Sequence, residues 1–118
     1  MAFDPAALPD DHADAVLAGR VMLADGPVPV ILRGGQVHDV SAIAPTTADL
    51  FDRPDAAQAD GPVLCRVDQL TIGGGEFELL APIDLQCVKA CGVTFAVSAI
   101  ERVIEERARG DSSAAAAI

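Results

Sequence analysis

Residues 79–111 read LLAPIDLQCVKACGVTFAVSAIERVIEERARGD and carry the clearest structural pattern in the chain. Side chains at every second position share one face of a strand, so an alternating apolar pattern predicts a strand over residues 85–95. Only Lys89 interrupts the apolar face, which otherwise carries Leu85, Cys87, Cys91, Val93 and Phe95. The first half of this stretch is therefore predicted to be a core strand.

The second half predicts a helix that begins at Ser98. Ser98 and Glu101 form the S-x-x-E pattern of a capping box, in which each side chain bonds the backbone amide of the other residue. Apolar residues then recur at helical spacing, at Ile100, Val103, Ile104 and Ala108. Opposite charges stand four residues apart on the polar face, at Arg102 and Glu106 and at Glu105 and Arg109. Gly110 stands where a left-handed residue ends a helix, so the prediction is a strand, a tight turn and a capped helix.

This stretch resembles the start of the catalytic domain in the fumarylacetoacetate hydrolase superfamily. It is most similar to the bacterial branch associated with 2-keto-3-deoxy sugar acids. Hydrolases of the family carry a strand that ends in G-x-N-Y, a histidine three residues after the tyrosine and a glutamate six residues after it. The matching positions are Gly92, Thr94, Phe95, Ser98 and Glu101. The glycine and the glutamate are kept, whereas phenylalanine replaces the tyrosine and serine replaces the histidine.

The resemblance implies catalytic positions at Glu101 and Ser98. In the family the glutamate and the histidine together activate the water that attacks a carbonyl carbon. Serine is not a general base near neutral pH, so the presence of Ser98 disfavours hydrolysis and favours dehydration. Glu101 would be the proton-transfer group. The capping box explains the same two residues without catalysis, and both interpretations stay open because one glutamate can cap a helix and face a cleft.

The resemblance also implies a cofactor and partners. The expected substrate is a short 2-keto acid, the expected metal is Mg²⁺ or Mn²⁺, and the full-length enzyme is expected to be a homodimer. The metal-binding carboxylates of the family would lie beyond residue 118, so this chain by itself is expected to bind no cofactor and to be inactive. Two alternatives remain: a hydrolase that cleaves a carbon–carbon bond of an acylpyruvate, and a small acidic protein-interaction module without enzymatic activity.

The residues before this stretch predict short antiparallel strands and a short helix. Strands are predicted at residues 19–23, 28–33, 36–40 and 63–67, and the second and third are joined across Gly34 and Gly35 as a hairpin. A helix is predicted near residues 46–59, with Thr46 or Thr47 as its N-cap and an interruption at Pro54. The expected fold class is α+β. An N-terminal domain of residues 1–80 is followed by residues 81–118, the start of a fumarylacetoacetate hydrolase-like catalytic domain.

The composition argues against two classes of partner. Eight basic and 18 acidic residues among 118 give a net charge of −10, which disfavours binding to nucleic acid or to an anionic membrane. No apolar run is long enough for a transmembrane helix, and the acidic start of the chain is unlike a signal peptide. A cytoplasmic protein is therefore expected.

The cysteines and histidines predict no metal site. Cys87 and Cys91 lie about 13 Å apart in an extended strand, too far for a disulfide, and are expected to be small core residues. Cys65 is also expected in the core. His12 lies among flexible aspartates, and His38 is expected to be a structural residue of the third strand, exposed or half-buried.

Overall fold

In the computed structural model, the described residues are 1–90, 92 and 96–108. The chain divides into two units, Met1–Gln86 and Cys87–Ile118. The first unit contains the sheet, and the second contains the C-terminal helix. The fold of the first unit confirms the predicted α+β class, because an antiparallel sheet is combined with short helices.

Within the described part of the chain the sheet has five strands in the order β4-β3-β2-β1-β5. The strands are β1 (Leu17–Leu23), β2 (Gly26–Arg33), β3 (Gln36–Asp39), β4 (Val63–Arg66) and β5 (Glu78–Leu80). Each neighbouring pair is antiparallel. The four strands predicted before residue 70 are therefore confirmed to within about two residues.

The hairpin of β2 and β3 forms for a local reason. Gly34 and Gly35 both have positive φ, +59° and +77°, and a two-residue connection with both residues in this region matches the twist of the flanking strands. Arg33 and Gln36 face each other across the turn. The Gly-Gly pair thus forms the turn that the sequence predicts.

Side chains on the two faces of the sheet form separate cores. Alternation along β2 sends Val30 and Leu32 to one face and Ile31 to the other. The first core consists of Val21, Val30, Leu32, Val37, Cys65, Val67 and Leu70. The second consists of Ile31, Val40, Ala44, Leu50 and Ala59. Cys65 is thus confirmed as a core residue.

Helix α1 (Thr47–Asp52) covers the second core. Thr46 is the N-cap, and its hydroxyl accepts a hydrogen bond from the Asp49 amide at 3.1 Å. The helix ends before Pro54, and a 3₁₀ turn at Ala56–Gln58 follows. Leu50 is fully buried against the sheet, so this short helix derives its stability from packing.

The predicted strand over residues 85–95 is wrong for the part that the structure describes. Residues 85–90 form no strand, and the side chain of Leu85 is 78% exposed. Cys87 is exposed as well, so it is not the core residue that the alternation predicts. Cys91, Val93 and Phe95 lie outside the described residues. An alternating pattern alone does not create a strand, because each strand also needs a partner for its backbone.

Gly61 is expected to tolerate no side chain. A Cβ atom at this position would overlap the backbone carbonyl of Asp39, which cannot move because the Asp39 amide donates to Pro62 O at 2.9 Å. Gly61→Ala should therefore lower the free energy of unfolding by about 1–3 kcal/mol. Urea denaturation measures the loss.

Gly19→Ala is the matched control for Gly61→Ala. Its added methyl group would meet Leu79 and Val30 at 3.8 Å, which is ordinary contact distance. Gly19 also has no positive φ. Gly19→Ala should be neutral or slightly stabilising, because alanine restricts the unfolded chain. Equal destabilisation by both substitutions would contradict the steric explanation.

Candidate functional site

Helix α2 (Ala96–Ala108) carries both residues that the sequence proposes for catalysis. The helix begins two residues before Ser98, so the prediction that Ser98 is its N-cap is wrong. Ser98 is instead the third residue of the first turn, and its side chain lies outside the described part. The predicted end of the helix at Gly110 lies outside the described residues, as does Arg109.

Ser98 lies within α2 and is therefore not at the N-cap position that a capping box requires. A capping serine must precede the helix, because its own backbone is not helical. Positions 98 and 101 are three apart in a helix and therefore lie one above the other on the same side. The side chain of Glu101 is exposed. Its carboxylate is accessible to a ligand on this side of the helix.

The other side chains of α2 that the structure describes are also largely exposed. The charged residues Arg102, Glu105, Glu106 and Arg107 are exposed, as a solvated face predicts. The apolar residues Val97, Ile100 and Val103 are exposed by 68%, 60% and 44%. An amphipathic helix of this kind normally buries its apolar stripe.

A second polar cluster surrounds the N-terminus of α1 and was not predicted. Asp84 Oδ2 accepts a hydrogen bond from the Thr47 amide at 2.7 Å, and Asp84 Oδ1 accepts one from the Ala48 amide at 3.1 Å. The side chain of Gln86 donates to Thr47 Oγ1 at 3.2 Å and accepts from the Asp84 amide at 2.7 Å. We call Thr47, Asp84 and Gln86 the α1 clasp. It ties the chain after β5 to a helix 37 residues earlier.

The clasp stabilises the ionised form of Asp84. Desolvation raises the pKa of this carboxyl, but hydrogen bonds from the amides of Leu85, Thr47 and Ala48 outweigh it and lower the pKa to about 2. The carboxylate also lies at the positive end of the helix dipole. Asp84 is therefore a structural anion, and it is not poised to exchange protons near neutral pH.

The low pKa of Asp84 predicts a pH dependence of stability. An unfolded aspartate has a pKa of about 3.9, and the folded value is about 2. The stabilisation is therefore present above about pH 4 and is lost as the pH falls through about 2. Asp84→Asn should lower the free energy of unfolding at neutral pH and reduce its decrease at acidic pH. Urea unfolding at a series of pH values measures both effects.

Asp55→Asn provides the control for Asp84→Asn. Asp55 forms only an exposed ion pair with Arg53, at 3.1 Å from Nε to Oδ1. Exposed pairs of this kind contribute little to stability. If the free energy of unfolding decreases equally at acidic pH in Asp84→Asn and in Asp55→Asn, the clasp does not stabilise the fold.

His38 and Cys65 have structural surroundings. His38 is half-buried on β3, with Nδ1 at 3.2 Å from Gly61 O and 3.3 Å from Asp60 Oδ1. Burial raises the pKa of the Cys65 thiol, and the charges of Asp68 and Glu76 raise it further. The thiol of Cys65 therefore stays protonated and is a poor nucleophile.

Two kinds of feature are absent from the described residues. Within residues 1–90, 92 and 96–108, no three His, Cys, Asp or Glu side chains come together as a metal site. In the same part of the chain, no helix combines the length and apolar character that crossing a membrane requires. Comparisons with protein-family models, with curated proteins and with solved structures found no match for the chain.

Proposed function

We propose that this chain is the N-terminal part of a fumarylacetoacetate hydrolase superfamily enzyme that dehydrates a 2-keto-3-deoxy sugar acid. The observation that carries the proposal is the exposed carboxylate of Glu101 on α2, at the glutamate position of the family motif. Positions 98 and 101 are three apart within α2 and therefore lie on the same side of the helix, as two groups of a common site would.

Glu101 is the proton-transfer group in this proposal. A hydrogen on the carbon next to a keto group is acidic enough for a carboxylate to remove it. Glu101 takes the proton and returns it to the hydroxyl group on the following carbon, which leaves as water while a carbon–carbon double bond forms, so that no attacking water is needed. Ser98 can donate and accept hydrogen bonds but cannot activate a water molecule, which favours dehydration over hydrolysis.

The family resemblance implies that the Mg²⁺ or Mn²⁺ ligands belong to the longer enzyme, after residue 118. The chain by itself is then inactive. The longer enzyme is proposed to act in the cytoplasm as a homodimer.

A product assay distinguishes dehydration from the two alternatives. The gene is expressed with its natural in-frame continuation, and the protein is incubated with Mg²⁺ and either a 2-keto-3-deoxy sugar acid or an acylpyruvate. Loss of water from the sugar acid supports the proposal. Carbon–carbon cleavage of the acylpyruvate identifies a hydrolase, and a stop codon directly after Ile118 favours the small acidic interaction module.

A further inference from the structure

Part of strand β1 lacks a neighbour on one side. β1 is paired with β2 along its whole length, but β5 pairs with it only at Arg20, Val21 and Met22. The chain leaves the sheet after β5 at Ala81 and Pro82, and proline has no amide hydrogen to continue the ladder. Among the described residues, none continues the ladder opposite residues 17–19. We call these three residues the edge gap.

The backbone of Ala18 points into this gap. A two-residue turn at residues 24 and 25 joins β1 to β2, and such a turn makes Leu23 and Gly26 a hydrogen-bonded pair. Hydrogen-bonded and non-hydrogen-bonded pairs alternate along an antiparallel ladder. The backbones of Leu17, Gly19 and Val21 therefore also form hydrogen bonds with β2. The amide and carbonyl of Ala18 therefore point away from β2, into the gap.

An apolar pocket lies beside the gap on each face of the sheet. The larger one, of about 260 Å³, is lined by residues that include Leu8, Pro9, Leu17, Leu32, Leu79 and Pro82. The smaller one, of about 170 Å³, is lined by residues that include Val16, Ala18, Ile31, Leu50, Phe51 and Ala56. Phe51 is 50% exposed and Val16 is 43% exposed. A strand placed beside Ala18 would direct alternate side chains toward the two pockets.

The other edge of the sheet has the usual protection against an added strand. β4 has only four residues, follows Pro62 and ends in the charged Arg66. Short strands, prolines and charges are the common devices against unwanted pairing. Residues 16–19 read VLAG and contain none of these devices.

Acidic residues flank the edge gap. Asp10, Asp11 and Asp14 are exposed and lie between Pro9, which lines the larger pocket, and Val16, which lines the smaller one. Asp52 is exposed directly after Phe51. The chain as a whole carries a net charge of −10. These charges favour a ligand with positive charge on both sides of an apolar segment.

We propose that the edge gap binds an extended peptide segment of a partner protein as an additional strand. The segment has apolar side chains on both of its faces, one face for each pocket, and lysine or arginine residues at its ends. Backbone hydrogen bonds to Ala18 hold the segment, and the two pockets select its alternate side chains, as in known cases of strand addition. This site lies on the sheet and is independent of the function proposed for Glu101.

The test uses a short synthetic peptide with three central valines and two lysines at each end. Binding is measured by titration calorimetry, and the Ala18 amide is followed by hydrogen exchange in the 118-residue chain. The peptide should slow exchange at Ala18. Phe51→Ser and Val16→Ser should each raise the Kd by about tenfold, because an apolar pocket wall is lost. Replacing the central valine of the peptide by proline should abolish binding.

Val63→Ser is the matched control, because Val63 is as exposed as Phe51 but lies on β4. The Kd of the Val63→Ser variant for the peptide should equal that of the unmodified chain. A peptide with glutamate in place of lysine should bind more weakly. The proposal is overturned if no peptide binds, if Ala18 is not protected, or if Val63→Ser weakens binding as much as Phe51→Ser. The chain could also form a dimer that Phe51→Ser disrupts and Val63→Ser preserves. That result would show that a second copy of the chain occupies the edge gap, and it would also overturn the proposal.

Discussion

Glu101→Gln in the longer enzyme is expected to lower kcat for dehydration by about 10²–10⁴-fold, the usual contribution of a general acid–base group. Glutamine has nearly the same shape and the same helix propensity as glutamate, but it cannot accept and release a proton. The exposure of Glu101 on α2 makes a large loss of stability unexpected. The rate of water loss from a 2-keto-3-deoxy acid measures the effect, and a thermal melt of the variant checks its fold.

Glu106→Gln is the control for Glu101→Gln. Glu106 is an exposed glutamate of the same helix, but it lies about 140° around the helix axis from Glu101. Its substitution should leave kcat unchanged within about twofold, since surface charges away from a site contribute little. Near wild-type turnover of the Glu101→Gln enzyme would show that Glu101 is not the proton-transfer group.

Leu50→Ala is expected to have the largest effect on stability. Leu50 is fully buried and connects α1 to Ile31, Val40 and Ala59 in the second core. Truncation of a buried leucine removes apolar contacts and leaves a cavity, which costs about 2–5 kcal/mol. In a domain of this size such a loss is a large part of the total stability. Chemical denaturation monitored by far-UV circular dichroism measures it.

Leu85→Ala is the control for Leu50→Ala. The sequence pattern places Leu85 on a core strand, whereas Leu85 is 78% exposed in the structure. Truncation of the Leu85 side chain should change the free energy of unfolding by less than about 0.5 kcal/mol. A cost close to that of Leu50→Ala would mean that Leu85 is buried in solution and that the alternating pattern was the better guide.

Local signals account for the parts of the fold that the sequence predicts correctly. The Gly34-Gly35 turn specifies its hairpin within four residues, and Thr46 caps α1 through an amide three residues away. Pro54 ends the same helix because it cannot continue the backbone ladder. In each case the deciding interaction joins neighbours in the sequence, so the pattern contains the necessary information.

Long-range interactions account for the errors at Leu85, Cys87 and Asp84. The alternation at Leu85 and Cys87 matches a strand, but no sequence pattern tells whether a neighbouring strand is available. The S-x-x-E pattern placed the start of α2 at Ser98, although the helix begins at Ala96, because capping residues also occur within helices. Asp84 was missed since its partners are the amides of Thr47 and Ala48, far away in the chain.

At the candidate site, the sequence contributed more than the structure did. The family resemblance indicates Glu101 and Ser98, and the structure adds that both are helical and that Glu101 is exposed. The edge gap, in contrast, follows only from the structure. It depends on where β5 stops pairing with β1, and the side chain of Arg20 bonds Ala81 O across a separation of 61 residues.

The α1 clasp has a consequence for the order of events during synthesis. The hairpins of β1, β2 and β3 connect neighbouring segments and can form within about 1–10 μs of leaving the ribosome. The amides of Thr47 and Ala48 must wait for Asp84, which is 37 residues away from Thr47. At synthesis rates of about 5–20 residues per second this interval is roughly 2–7 s. During that time α1 lacks its carboxylate partner and β1 lacks β5, so the nascent chain presents a longer open strand edge than the finished fold.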